Sequence, residues 1–167
     1  MTPSRLEQTL GYTFHDRALL LTALTHRSYS SPHNERLEFL GDAILNAVIA
    51  RCLFERYPML PEGDLSRLRA NLVRQDSLHQ QALALALGDC LRLGEGEQKS
   101  GGQQRPSILA DALEALFGAL WLDAGFDAAA AVVMRVYESV LDQLTPDQGI
   151  KDAKTRLQEH LQGMRLA

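Results

Sequence analysis

The chain has few features of several familiar protein classes. It holds two cysteines, Cys52 and Cys90, in no CxxC or Cys/His pattern. That excludes a disulfide framework or thiolate zinc site and leaves two buried thiols in a reducing cytoplasm as the expectation. Aromatic residues make up only 6 % of a Leu- and Ala-rich composition, which favours helices over sheets. The apolar stretch Ala82–Leu87 is far too short to cross a bilayer. Its alternation mimics a strand, but it is built from helix formers and has no turn-bounded partner strand. No basic segment followed by an apolar run opens the chain, so no signal peptide is expected. The glycine-rich stretch Leu93–Pro106 lacks GxxxxGK[ST] and is no P-loop. No glutamate is followed by a histidine three residues later, which argues against a carboxylate-bridged di-iron bundle. Basic excess is missing too. The net charge of −4 taken alone speaks against a nucleic-acid binder, although a site that gathers acids inflates that count.

What is present is carboxylate arranged on helices. Asn34–Ile49 reads NERLEFLGDAILNAVI, with Glu35, Glu38 and Asp42 on one helical stripe and Leu37, Leu40, Ile44 and Val48 on the opposite one. Phe39, Leu45 and Ile49 flank the acids where a solvated stripe would carry Lys, Gln or Ser. Ser107–Leu122 repeats the pattern. Asp111 and Glu114 share one face, Gly118 lies next in line on it, where the lack of a side chain is expected to leave room, and Leu109, Leu113, Leu116 and Leu120 form the core stripe. If the two acid edges face each other, Glu38, Asp42, Asp111 and Glu114 converge. Carboxylates crowded in partly apolar surroundings need protons, cationic side chains or a hard divalent ion. A two-metal site of this kind is a standard device for phosphodiester cleavage. Spacing alone also fits two exposed helices with surface acids, in a helical interaction protein with no chemistry.

The run His33-Asn34-Glu35-Arg36-Leu37-Glu38-Phe39-Leu40-Gly41-Asp42 resembles the signature of the ribonuclease III family. The similarity continues in the family's order through Pro61-Glu62-Gly63-Asp64-Leu65-Ser66, Leu91-Arg92-Leu93-Gly94, Lys99-Ser100-Gly101-Gly102 and Leu109-Ala110-Asp111-Ala112-Leu113-Glu114-Ala115. It covers nearly the whole chain and is strongest toward the bacterial enzyme. The resemblance implies an all-α endonuclease domain, a helical bundle forming a two-fold homodimer whose signature helices meet along a valley holding two sites. Phe39 is expected at that seam. It further implies a metal-dependent endoribonuclease acting on double-stranded RNA in rRNA and mRNA processing. The products would be 5′-phosphate and 3′-hydroxyl ends with short 3′ overhangs. Mg²⁺, with Mn²⁺ as a substitute, would be held by Glu38, Asp42, Asp111 and Glu114. Asp42 and Glu114 are expected to be the most rate-critical, and Glu35 and Glu62 to be supporting acids. A catalytically inactive relative serving as an RNA-binding or structural module is the alternative. The expected location is the cytoplasm, with no membrane association.

Length suits one domain plus a short extra piece. Residues 1–145 are read as the catalytic domain and 146–150 as a linker. Lys151–Glu159 resembles the start of the double-stranded-RNA-binding domain of bacterial members, and the similarity stops at Ala167 after what would be its first helix. Residues 151–167 are therefore expected to be a truncated start of that module. Local expectations complete the reading. Short helices cover Met1–Leu10 and Asp16–Thr25, and the signature helix stops at about Tyr57, before Pro58. Asp64 caps the next helix, Ser77 caps another that ends at Gly88, and Asp127 caps a last one running to Leu144. Leu93–Pro106 is expected to be a mobile loop carrying Lys99 and Arg105, and Arg67, Arg69 and Arg74 share one segment; any of these cations could meet phosphate. His26 and His33 are expected to be hydrogen-bonding residues near a helix end.

Overall fold

A computed structural model describes residues 3–147. The segment read as the start of an RNA-binding module, residues 151–167, lies outside the described residues, as do residues 148–150 of the linker. Eight α-helices follow one another: α1 Pro3–Leu10, α2 Arg17–Ala23, α3 Glu35–Arg56, α4 Glu62–Val73, α5 Gln75–Ala84, α6 Glu95–Lys99, α7 Pro106–Ala124 and α8 Phe126–Asp142. Two 3₁₀ turns, Leu87–Cys90 and Gly102–Gln104, complete the order. The all-α expectation holds, and among the described residues the sole β-type pairing is one bridge between Thr25 and Arg92.

The centre of the bundle is α7. Its sequence is apolar almost all round, and every residue from Ile108 to Leu120 except Asp111 is buried. Leu109, Leu113, Leu116 and Leu120 are fully buried, at about 1.5–3 kcal/mol of transfer free energy each. Helices α2, α3, α5 and α8 pack around it. The closest crossing is with α3, and two glycines make it possible. A Cβ on Gly41 would land on the carbonyl group of Glu114, and a Cβ on Gly118 would strike the carbonyl of Leu37. Gly118 thus does not open space on the acid face; it lets the two backbones touch.

Several local expectations fail for physical reasons. Asp64 does not cap α4. The helix starts earlier, after Pro61, and the Asp64 carboxylate pairs with Arg67 one turn on. Ser77 lies inside α5, whose N-cap position is Arg74. That helix ends at Ala84 rather than Gly88, and the left-handed residue after it is Ala86, with φ 49°. Asp127 is likewise inside α8, which begins at Phe126 behind Gly125.

The stretch 93–106 is built rather than free. It contains α6 and the second 3₁₀ turn, closed by a Glu97–Arg105 ion pair. A Cβ on Gly102 would meet Glu97 at 2.8 Å, so glycine is what allows this fold-back. Of the two thiols expected to be buried, Cys90 is and Cys52 is only half-buried; burial pushes both thiols up. No helix among the described residues is long and apolar enough to cross a membrane.

Candidate active site

The start of α3 is fixed before its acids are. Asn34 is buried, its side-chain amide donates to the Ala23 carbonyl at 3.3 Å, and its backbone N–H donates to Thr25 O at 2.9 Å. Its own carbonyl accepts from Glu38 N at 2.9 Å. The signature helix is therefore pinned to the end of α2, which sets the height of Glu35 and Glu38 along α7.

Four carboxylates converge there. Glu38, Asp111 and Glu114 each place an oxygen within 4.8 Å of the others. Asp42 joins from the next turn of α3 and hydrogen-bonds Glu114. On its far side Asp42 accepts from Asn46 Nδ2 at 2.9 Å, which fixes its rotamer. Glu114 is the innermost member, 9 % exposed.

Crowding is visible in the acid strengths. Burial pushes the Glu114 carboxyl up to about 8, helped by the charges of Asp42, Glu38 and Asp111 and by the Asp42 hydrogen bond. Glu38 is raised by burial and by Asp111, Glu35 and Asp42. Asp111 is raised by burial and by Glu35, with His26 opposing. At neutral pH Glu114 therefore holds a proton that can hydrogen-bond Asp42. Four oxygen donors of this hardness, starved of cations, suit a hard divalent cation better than a soft metal. No Lys or Arg makes an ion pair with any of the four among the described residues.

An open groove of about 940 Å³ leads away from the acids, lined by His26, Arg27, Ser28, Glu35, Glu38, Glu97, Arg105 and Asp111, among others. Glu35 lies in this groove, 3.3 Å from Arg27 and 3.9 Å from His33, so it is a neighbour of the cluster rather than a member. Glu62 is elsewhere in the single chain. It accepts from Ser66 at 2.7 Å and lines a separate groove with Phe54 and Arg69. The cations singled out in the sequence are mostly spoken for: Arg67 by Asp64, Lys99 by Glu95 at 3.6 Å, Arg105 by Glu97. Of these, Arg105 lines the groove. Sequence reasoning missed Asn46, although its i+4 spacing from Asp42 was a readable signal, and missed Arg27 and Glu97, which only the fold brings to the groove.

Phe39 points away from all of this and is 81 % exposed, as are Phe54 at 70 % and Met59 at 91 %.

Comparison with known proteins gives one consistent result. A family model described as ribonuclease-III-like matches residues 16–142. The chain is 64 % identical over 167 residues to a ribonuclease 3 of Dechloromonas aromatica, covering all of this chain and 75 % of that relative. The crystal structure of the nuclease domain of ribonuclease III from Campylobacter jejuni superposes with a TM-score of 0.81 at 46 % identity, covering 86 % of this chain and 98 % of that one. A second structure of that domain, described for flexibility in a region involved in dimer formation, gives 0.79 at 48 % identity over 81 % and 95 % of the two chains.

Proposed function

This chain belongs to the ribonuclease III family and is an endoribonuclease, and from that premise we propose that it hydrolyses double-stranded RNA with a hard divalent ion, Mg²⁺ or Mn²⁺, held by Glu38, Asp42, Asp111 and Glu114. The observation that carries the reading is the convergence of these carboxylates, from two helices, on one point. A divalent ion held by these residues would supply Lewis-acid polarisation of the phosphate and would lower the pKa of a nearby water.

The protein's own residues do the rest. The four carboxylates present oxygen donors on rigid helices, and Asn46 holds Asp42 in its rotamer. Glu114 gives up the proton that its buried, acid-crowded position retains up to about pH 8, so loading the site releases a proton. Glu35 extends the negative edge into the groove, and Arg27 beside it limits that charge at 3.3 Å. The groove would take the backbone of one strand, and a duplex would be read by A-form shape and 2′-hydroxyls rather than by base edges. Products would be 5′-phosphate and 3′-hydroxyl ends with short 3′ overhangs, within rRNA and mRNA processing in the cytoplasm. Asp42 and Glu114 are the acids we expect to be most rate-critical.

Residues 1–145 would form the catalytic domain, 146–150 a linker and 151–167 the start of an RNA-binding module. The exposed Phe39 supports a two-fold homodimer, and the Campylobacter jejuni domain is described with a region involved in dimer formation. Glu62, remote from the acids of its own chain, keeps a supporting role only if a second copy brings it to them. The complete acid set speaks against a catalytically inactive relative. The test is cleavage of a duplex RNA by wild type and by Glu114→Ala, with and without EDTA. Metal-dependent cleavage lost in the variant is expected; equal cutting by both would refute the assignment.

A further inference from the structure

The groove that the acids line also carries a histidine, His26, whose Nδ1 is engaged by its neighbours. The Ser28 backbone N–H donates to His26 Nδ1 at 3.2 Å, and the Ser28 hydroxyl lies 2.8 Å from the same nitrogen. Ser28 Oγ in turn accepts from the Gly94 N–H at 2.9 Å. A nitrogen that accepts an N–H carries no proton, so the ring proton sits on Nε2.

The loop that holds the ring is fastened on both sides. His26 N donates to Arg92 O at 3.0 Å, Arg92 N donates to Leu24 O at 2.8 Å, and the Arg92 guanidinium lies 4.4 Å from the centre of the Tyr29 ring. A Cβ on Gly94 would strike the Ser28 carbonyl, so the two segments touch backbone to backbone. Nε2 makes no hydrogen bond among the described residues, and the ring lines the groove with Glu35, Glu38 and Asp111. A ring held this firmly on a groove lined with acids leaves its Nε2–H donor without an acceptor among the described residues.

We propose that His26 is a substrate-binding residue of this endonuclease, donating from Nε2–H to a backbone oxygen of RNA, phosphate or 2′-hydroxyl, laid in the groove beside the four acids. Ser28 and Gly94 are positioning residues that hold the ring in the Nε2–H form. This rests on the reading of the groove as the RNA site. It also explains why a loop outside both acidic helices is tied so tightly to the segment leading into α6.

The experiment compares wild type, His26→Ala and His26→Gln in duplex binding without divalent metal and in Mg²⁺-dependent single-turnover cleavage. Gln places an amide N–H where Nε2 sits. Loss of a hydrogen bond of this kind is expected to weaken binding and kcat/KM by roughly tenfold in the Ala variant, with substantial recovery in Gln. Melting temperature and its rise on adding Mn²⁺ should match wild type in both variants. Duplexes carrying single 2′-deoxy or methylphosphonate replacements near the cut identify the acceptor, because the Ala deficit vanishes where the contacted oxygen is altered.

Wild-type binding and cleavage by His26→Ala overturns the proposal. So does a Gln variant no better than Ala, a lowered melting temperature in either, or a deficit that survives every backbone replacement. A wild-type protein that binds duplex but never cleaves it would sink the hydrolytic reading instead, and the binding arm would still decide the role of His26.

Discussion

Gly41 of α3 lies directly on the backbone of Glu114 of α7, so close that a Cβ on Gly41 would occupy the place of the Glu114 carbonyl group. The residue that lets the helices touch and the innermost acid of the cluster are thus one contact. Gly118, two turns from Asp111 on α7, repeats the arrangement against Leu37 O and stands 3.0 Å from Gly41 N when a Cβ is placed on it. The spacing of the acid edges is therefore a consequence of two missing side chains.

That relationship predicts a selective loss. Gly41→Ala must push α3 off α7, and since the obstacle is backbone it has no rotamer to yield. Overpacking costs typically reach about 1–3 kcal/mol, and this site should lie at or above the upper end. The four carboxylates would separate at the same time. We expect a melting temperature lower by several degrees and cleavage reduced by at least about a hundredfold. A thermally unchanged, fully active Gly41→Ala protein would contradict the crossing described here.

Much of this was legible in the sequence, and the rest was not for identifiable reasons. The i, i+3 and i+4 spacing of Glu38, Asp42, Asp111 and Glu114 gave their faces, because helical periodicity is local. The role of Gly118 was misread as open space, because a helix wheel does not say how near the next helix comes. Asp64 and Ser77 carry good N-cap side chains, yet tertiary packing started both helices a few residues earlier and spent Asp64 on Arg67. The stretch 93–106 read as loose because it has no apolar face; an ion pair between Glu97 and Arg105, eight residues apart across the break between α6 and the second 3₁₀ turn, leaves no periodic trace.

The second prediction concerns pH. Glu114 holds its proton up to about pH 8 in the metal-free fold, against an ordinary value of 4.5. A carboxyl raised in the folded state means that, between those values, the unfolded chain binds fewer protons than the native one. Stability must then fall as pH rises through that window. Metal-free protein should melt progressively lower from pH 5 to pH 8, with the change ending above about pH 8. Glu114→Gln removes the titrating group and should flatten the profile and raise the melting temperature at pH 8. It should also abolish metal-dependent cleavage by about a thousandfold or more. Thermal scans of the two proteins across pH in EDTA check this, and a parallel pair of profiles would count against it.

The third prediction is the reverse experiment. A cation that binds the deprotonated cluster, and not the unfolded chain, stabilises the fold by about 2.7 kcal/mol at a hundred times its dissociation constant. Mg²⁺ or Mn²⁺ should raise the melting temperature at pH 8 more than at pH 6, because below about pH 8 the ion must first displace the Glu114 proton. Glu38→Gln and Asp111→Asn should each blunt the rise, and Glu62→Gln in a monomeric background should leave it intact. Calorimetry in two buffers of different ionisation enthalpy would report the released proton directly.

The last prediction tests assembly. Phe39 sits in the same helical turn as Glu38, yet it is 81 % exposed while its neighbours Leu45 and Ile49 are fully buried. Covering one such ring is worth about 1.5–3 kcal/mol, and a two-fold contact covers two at once. Phe39→Glu should therefore shift the protein from dimer to monomer in sedimentation while leaving its helix content and the Glu38–Asp111–Glu114 geometry in place. Because the acids belong to one chain, the monomer should still gain stability from Mn²⁺. Cleavage of duplex RNA should nonetheless fall by at least about tenfold if, as the proposed two-fold assembly requires, the grooves of two copies take one duplex together. A Phe39→Glu protein that remains dimeric would assign the exposed ring to some other contact and move the subunit seam off the signature helix.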